Sequence, residues 1–159
     1  MKNPILTLMV GLMSVSVAMA TDAPIKHQWV PAKWNSRLGV MNFINFDTIS
    51  CRNGFCSGWT AAISCYDQKT WDLMQLYMTA NCSNMTLTME RAIAYRNYSV
   101  VKEHGADKKY LPAAPGTGEY TIASVFCGKQ EPEYVYVLTI DELKESAIAT
   151  AKQWRNSNR

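Results

Sequence analysis

Hydrophobic and polar residues alternate through the middle of the chain, and this alternation predicts antiparallel β-strands. The clearest stretch is 85–95, where apolar side chains recur at nearly every second position, as in a strand with one buried face. Other strands are predicted over 28–34, 40–51, 56–66, 70–80, 120–127 and 134–138. The first of these is predicted to be a short edge strand, because proline, here Pro31, is tolerated in a sheet only at an edge or at a bulge. The polar stretch 97–119, which contains several Gly and Pro residues, is expected to be a long loop.

After residue 138 the apolar residues recur every three or four positions, which is the period of an α-helix. Thr139 and Glu142 have the spacing of a capping box, in which each side chain accepts a hydrogen bond from the other residue's backbone amide. The apolar stripe that follows consists of Ile140, Leu143, Ala147, Ile148, Ala151 and Trp154. The sheet is the surface that this stripe can cover. We therefore predict an α+β fold, an antiparallel β-sheet of about six strands with a C-terminal α-helix packed on one face.

The first twenty residues have the pattern of a secretory signal peptide. Lys2 precedes an apolar run, and Ala18 and Ala20 are the small residues that a cleavage site requires. A buried N-terminal helix is the alternative. We expect residues 1–20 to be removed and residues 21–159 to form one exported domain. No other apolar run approaches the roughly 18 residues of a membrane span, so no integral span is expected after cleavage.

The composition is that of a folded globular protein and gives no indication of nucleic-acid binding. Of the 159 residues, 48% are hydrophobic and 18% are charged, which is too apolar for a disordered chain. The formal net charge is +3, and lysine and arginine are not concentrated in any block that would follow a phosphate backbone. We therefore expect no nucleic-acid partner.

Five cysteines lie beyond the predicted signal peptide, and they indicate an oxidising compartment. They are Cys51, Cys56, Cys65, Cys82 and Cys127. The paired ligand spacings of zinc sites are absent, so disulfides are expected rather than a metal site. Spacing alone does not choose among the arrangements of two bridges and one spare thiol.

One bridge follows from local geometry. Asn53-Gly54 is the preferred pair for a two-residue hairpin turn, and this turn makes Cys51 face Cys56 in the close pair that carries a cross-strand disulfide. The alternative is that these two cysteines pair elsewhere. Extended along both strands, the same register makes Ile44 face Ile63 on the apolar side of the sheet. Cys65 lies on that side and the Cys51–Cys56 pair on the other, so we expect Cys65 to be a buried, inert free thiol.

Catalytic motifs are absent from the sequence, and we predict no enzymatic activity and no cofactor. His104 is predicted to be a solvated loop residue. Asp72 and Glu90 are predicted to be isolated, exposed carboxylates rather than a glycosidase pair. A dyad of Cys65 with His104 is the enzymatic alternative, and the expected burial of Cys65 argues against it.

The aromatic content points to binding instead. The chain has 8 Tyr, 5 Trp and 4 Phe, and Tyr and Trp serve interfaces well because they combine a large apolar area with a polar tip. The candidate binding residues lie on predicted strands that have a face available to solvent: Trp71, Tyr77, Tyr134 and Tyr136. Packing in the core is the alternative for each of them.

Short motifs between Trp34 and Cys127 resemble the surface-adhesin protein E family of bacterial envelope proteins. Asn45-Phe46-Asp47-Thr48-Ile49 is similar to the segment before the family's first long hairpin, and Asn81-Cys82-Ser83 to its Asp-Cys followed by a strand. The closest match is Ala114-Pro115-Gly116-Thr117-Gly118-Glu119 leading to Phe126-Cys127, which resembles the family's Pro-Gly-Ser-x-x-Glu run ending in Cys. The chain departs from the family in its three additional cysteines and in lacking a lipoprotein cysteine.

The resemblance implies an antiparallel sheet with a helix, a bridge joining Cys82 to Cys127, a cell-envelope location and binding to host matrix or serum proteins. We therefore predict an exported, non-enzymatic, adhesin-like protein-binding domain in the bacterial periplasm, on the cell surface or secreted. The alternative is a periplasmic accessory subunit of an envelope or secretion assembly without a host ligand. The sequence leaves a homodimer open.

Overall fold

The computed structural model describes residues 25–35, 38–66 and 70–157, so the predicted signal peptide lies outside the described residues. The described part is an α+β fold, as predicted. Its elements are β1 (His27–Asn35), β2 (Val40–Asn45), a single 3₁₀ turn (Phe46–Thr48), β3 (Ser50–Arg52), β4 (Phe55–Ser64), β5 (Leu73–Asn81), β6 (Thr86–Arg96), β7 (Ser99–His104), β8 (Asp107–Pro112), α1 (Gly118–Phe126), β9 (Tyr136–Leu138) and α2 (Ile140–Ser157).

The strands form one antiparallel sheet in the order β7-β6-β5-β4-β2-β1-β9, with β3 beside β4 and β8 beside β6. The sheet therefore has nine strands in the described residues, more than the six or so expected. Strand β1 has a neighbour on each side, so its prediction as an edge strand was wrong. Pro31 is accommodated by a bulge, because the pairing of β1 with β2 slips between Pro31 and Lys33.

The hairpin at Asn53-Gly54 forms as predicted, but its register does not continue into β2. Cys51 pairs with Cys56, and both turn residues have positive φ, 52° and 79°. Ile44 pairs with Thr60 and not with Ile63, a shift of three positions. An odd shift moves a side chain to the opposite face of the sheet. The prediction that Ile44 faces Ile63 was therefore wrong.

The 3₁₀ turn Phe46–Thr48 is the cause of this shift, because it takes three residues out of the strand. The Thr48 hydroxyl donates to the Asn45 carbonyl (2.8 Å) and accepts from the Trp59 amide (2.9 Å). One side chain thus closes the turn and attaches it to β4. Hydrophobic alternation in the sequence does not indicate such a turn, since Phe46, Asp47 and Thr48 include neither glycine nor proline.

Both faces of the sheet are apolar, and each is covered by one helix. The α1 core joins α1 to one face through residues that include Ile44, Cys56, Ala80, Leu87 and Phe126. The α2 core joins α2 to the opposite face through residues that include Trp29, Phe43, Ile63, Leu73 and Leu143. The neighbours Phe43 and Ile44 belong to different cores because successive side chains of a strand point to opposite faces. The C-terminal helix thus covers one face, as expected, and a second helix covers part of the other.

The segment 120–127, predicted as a strand, forms most of this second helix up to Phe126, and Cys127 follows as its C-cap. The Thr117 hydroxyl caps it by accepting a hydrogen bond from the Tyr120 amide (3.1 Å), and Gly128 follows it with φ of 63°. Residues 122–126 are all buried. A short run that is apolar on all sides has no periodicity that separates helix from strand, so only the capping residues could have identified the helix.

The stretch 97–119, predicted as a loop, contains strands β7 and β8. Asn97 and Tyr98 form the two-residue turn between β6 and β7, and both have positive φ, 48° and 65°. All six residues of β7 are exposed, so the strand lacks the apolar alternation by which strands are recognised. His104 accordingly lies at the end of a strand and not in a loop.

Helix α2 begins with the predicted capping box. The Thr139 amide donates to the Glu142 carboxylate (2.8 Å), and the Glu142 amide donates to the Thr139 hydroxyl (3.2 Å). The stripe is buried at Leu143, Ala147 and Ala151, but Trp154 is 41% exposed and lies outside the α2 core. Within the described residues, no helix combines the length and the apolar content needed to cross a membrane.

Candidate binding surface at the sheet edge

The four aromatic residues singled out in the sequence lie at three separate places. Tyr134 and Tyr136 are exposed at the outer edge of the sheet, on and just before β9. Trp71 and Tyr77 are half-buried near the opposite half of the sheet. The structure therefore does not bring the four together into one aromatic surface.

The β9 edge, defined here as residues 134–137, presents four consecutive exposed apolar side chains. Their exposed fractions are 57% for Tyr134, 44% for Val135, 44% for Tyr136 and 59% for Val137. Strand β9 pairs with β1 on its inner side, with Trp29 opposite Tyr136 and Gln28 opposite Val137. The path of paired strands ends at β9, so its outer backbone edge has no strand beside it in the described residues. Such an edge can pair with an extended segment of another chain.

The opposite edge of the sheet differs in its charge. Strand β7 contains Lys102, Glu103 and His104, and the Glu103 carboxylate accepts from Arg91 of the neighbouring strand at 2.6 and 2.7 Å. Charged side chains on an edge strand hinder pairing with another chain. Strand β9 contains only Tyr136, Val137 and Leu138, and so lacks this protection.

Tyr134 borders a depression between β1 and α1. The depression has a volume of about 190 Å³, and Val30, Pro31, Thr121 and Val125 contribute to its walls. A hydrogen bond to the Glu133 carboxylate and the charge of that carboxylate raise the pKa of Tyr134 above its ordinary value. The phenol therefore stays neutral at physiological pH, with its hydroxyl directed at Glu133.

Trp71 lies in a second, separate groove of about 450 Å³ on the α1 side of the sheet. The floor of the groove is apolar, with Met74, Ala92 and Ala94, and Lys102 and His104 also line it. Tyr77 packs against Trp59 on the other side of the sheet, with ring centroids 5.2 Å apart. Its ring is therefore occupied by an intramolecular contact.

The structure separates Cys65 from His104. Cys65 is buried in the α2 core, where its thiol points to the Ala147 carbonyl at 3.6 Å. Burial raises the pKa of this thiol to about 11. His104 pairs with Ala92, on the opposite face of the sheet. The Cys65–His104 dyad considered from the sequence therefore does not form here.

The other four cysteines are bridged. Cys51 is bonded to Cys56 with an S–S distance of 2.08 Å, as the hairpin predicts, and Cys82 to Cys127 at 2.01 Å, as the family resemblance implies. Cys65 is the free, buried thiol. The sulfur atoms of Cys56, Cys82 and Cys127 lie within 4.8 Å of one another. Sequence spacing gave no indication of this proximity, because the tertiary fold brings the two bridges together.

Asp72 has a structural role that the sequence did not reveal, and its prediction as an exposed, isolated carboxylate was wrong. Its carboxylate accepts hydrogen bonds from the Lys144 ammonium (2.8 Å) and from the Asn97 amide (2.9 Å). It therefore ties helix α2 and the β6–β7 turn to the start of β5. Glu90 is also half-buried rather than exposed.

Comparison of the chain with protein-family models, with curated proteins and with solved structures finds no match.

Proposed function

We propose that this chain is an exported, non-enzymatic protein-binding domain that uses the β9 edge to contact its partner. The observation that carries the proposal is the run of four exposed apolar side chains on and just before β9, a strand whose outer side has no neighbour in the described residues. An edge of this kind binds an extended segment of another protein by adding it as a further strand. Pockets and side chains beside the new strand then supply the specificity.

The aromatic residues supply most of the contact in this proposal. Strand β9 has three residues, so main-chain pairing contributes few hydrogen bonds. Tyr134 and Tyr136 offer large apolar rings with polar tips, and tyrosine is enriched among the residues that dominate binding energy at interfaces. The depression beside Tyr134 can receive a side chain of the bound segment.

The proposed location is outside the cytoplasm. Two disulfides in a chain of this length are typical of proteins that fold in an oxidising compartment. The resemblance to the surface-adhesin protein E family adds the class of partner, host matrix or serum proteins. The accessory-subunit alternative needs the same edge but a partner from the envelope itself.

Binding to immobilised matrix and serum proteins tests the proposal. The double variant Tyr134→Ala/Tyr136→Ala is expected to weaken binding by about tenfold or more, because each removes a large contact side chain. Tyr110→Ala is the matched control, since Tyr110 is also 44% exposed but lies on β8 at the opposite edge. Equal binding by the wild-type chain and the double variant would reject the β9 edge. A loss confined to Trp71→Ala would assign binding to the groove instead.

Location is tested by fractionating cells that express the full chain. Antibody access on intact cells supports display and a host ligand. Release by osmotic shock, without access on intact cells, supports the accessory subunit. Retention in the cytoplasm with reduced cysteines would contradict both.

A further inference from the structure

The two disulfides lie against each other, although their cysteines are far apart in the sequence. The Cys56 sulfur, in the first bridge, is 3.6 Å from the Cys82 sulfur, in the second. Strand pairing creates this proximity, because Cys56 lies opposite Ala80 and β5 then ends at the turn that carries Cys82. The end of helix α1 brings Cys127 to the same point.

The two residues of the first bridge differ in their access to solvent. Cys51 is exposed, whereas Cys56 is 5% exposed and belongs to the α1 core. We therefore expect an external thiolate to attack the bridge at Cys51, with Cys56 as the leaving group. The Cys51 sulfur also lies 3.6 Å from the Phe126 carbonyl, which can accept a hydrogen bond from the Cys51 thiol once it is reduced.

We propose that the four cysteines form a thiol–disulfide exchange site for a dithiol reductant, in which reduction of the exposed bridge is passed to the second bridge. The proposal does not depend on the binding function of the β9 edge. The leaving thiolate of Cys56 has a disulfide sulfur within 3.6 Å, and thiolate attack on a disulfide sulfur is the elementary step of exchange. In the proposed step the Cys56 side chain, once it is released from Cys51, turns about its Cα–Cβ bond to attack Cys82.

The exchange takes three steps. A thiolate of the dithiol bonds to Cys51, and the Cys51–Cys56 bond breaks to leave Cys56 as a thiolate. Cys56 bonds to Cys82, and the Cys82–Cys127 bond breaks to leave Cys127 as a thiolate that takes up a proton. The second thiol of the dithiol then loses its proton, bonds to the first and releases Cys51 as a thiol. The dithiol has lost two electrons and two protons, and Cys51 and Cys127 have gained them.

The surroundings favour this outcome. The Lys129 ammonium donates to the Cys82 carbonyl (3.0 Å), so a positive charge, which favours thiolates, lies next to the residue that Cys56 attacks. The product bridge, Cys56–Cys82, joins β4 to the turn that directly follows its paired strand β5. Helix α1 loses its covalent attachment to the β5–β6 turn, because Cys127 directly follows the helix. Reduction of an exposed bridge thereby loosens a buried helix.

Peptide mapping of two matched variants tests the proposal, both in a Cys65→Ala background so that Cys56 is the sole cysteine on its tryptic peptide. Cys51→Ser leaves the Cys56 thiol beside Cys82, and after acid trapping about half of the Cys82–Cys127 linkage is expected to be replaced by Cys56–Cys82 with Cys127 alkylated. Cys56→Ser leaves the Cys51 thiol instead and is expected to keep Cys82–Cys127 intact. Full alkylation of Cys56 in the first variant, or equal exchange in both, would overturn the proposal.

A second measurement uses the Cys65→Ala chain with both bridges present, so it does not depend on the folding of a chain with an odd cysteine. Dithiothreitol is added below one equivalent, and the products are trapped with acid and alkylated. The expected product has Cys51 and Cys127 alkylated and Cys56 linked to Cys82. Alkylation of Cys51 and Cys56 together, with Cys82–Cys127 intact, would show that the bridges are reduced independently and would overturn the proposal.

Discussion

The Asp72 carboxylate lies 2.8 Å from the Lys144 ammonium, so this ion pair joins the start of β5 to helix α2. The two side chains are 24% and 16% exposed, respectively, which is low for an ion pair. Burial acts to raise the pKa of Asp72, but the hydrogen bonds from Lys144 and the Asn97 amide and the charge of Lys144 outweigh it. The pKa of Asp72 is therefore lowered.

Asp72→Asn is expected to reduce the free energy of unfolding by about 1–3 kcal/mol at pH 7, because Lys144 is left partly buried without its partner. A lowered folded-state pKa gives stability that is present above the unfolded value, about 3.9, and is lost as pH falls through the folded value. The difference between wild type and variant should therefore shrink below about pH 4. Urea unfolding of the wild-type chain and the variant at pH 7 and pH 3 measures this difference in the free energy of unfolding.

Glu103→Gln is the control for this experiment. Glu103 and Arg91 form an ion pair in which both side chains are 50% exposed, and exposed pairs contribute about 0–1 kcal/mol. A pH-independent difference for Asp72→Asn would contradict the ionic contribution of Asp72.

Cys65 is expected to react slowly with alkylating reagents in the native protein. Burial raises the pKa of its thiol to about 11, so about one molecule in a thousand carries the thiolate at pH 8. The native and the urea-unfolded chain are compared with iodoacetamide, and the unfolded chain should react at the rate of an ordinary cysteine. Fast reaction in the native state would reopen the hypothesis that Cys65 is a nucleophile.

The two disulfides are expected to contribute unequally to stability. The Cys82–Cys127 bridge spans 45 positions and the Cys51–Cys56 bridge spans 5, and a longer loop loses more chain entropy when it is closed. Replacing Cys82 and Cys127 together by serine should cost about 4 kcal/mol, against about 2 kcal/mol for Cys51 and Cys56. Chemical denaturation of the two double variants gives the comparison. A larger loss at the short loop would contradict the entropic account.

Ile44 and Ile63 are expected to contribute independently, since they lie in different cores on opposite faces of the sheet. Ile44→Val and Ile63→Val should each cost about 1 kcal/mol, and the double variant should equal their sum within about 0.5 kcal/mol. Ile63→Val with Leu143→Ala is the comparison pair, because both residues belong to the α2 core. Strong coupling between Ile44 and Ile63 would instead support the register in which they face each other.

Local signals in the sequence predicted the features that depend on a few neighbouring residues. The Asn53-Gly54 turn, the Cys51–Cys56 bridge and the capping box of Thr139 and Glu142 all form as predicted. Of the four aromatic candidates, the exposed Tyr134 and Tyr136 remain candidates at the β9 edge, whereas Tyr77 packs against Trp59. Exposure depends on the neighbouring strands, which no local pattern specifies.

Predictions that extended a strand register or a hydrophobic periodicity along the chain failed where a short irregular segment broke it. The 3₁₀ turn at Phe46–Thr48 shifts the register of β2 relative to the one extrapolated from the Asn53-Gly54 hairpin. Phe43 and Ile44 therefore each lie on the sheet face opposite to the one that this extrapolation gives. The exposed strand β7 and the wholly buried end of α1 lack the contrast between two sides on which periodicity depends.

By itself, the sequence determined the α+β class, the C-terminal helix and the Asn53-Gly54 turn with its disulfide, because these follow from interactions between residues close along the chain. Only the tertiary structure decided that both sheet faces are covered, that β9 is the edge with exposed apolar side chains, and that Cys56 meets Cys82. These relationships join residues far apart in the sequence, and the packing of the whole sheet fixes them.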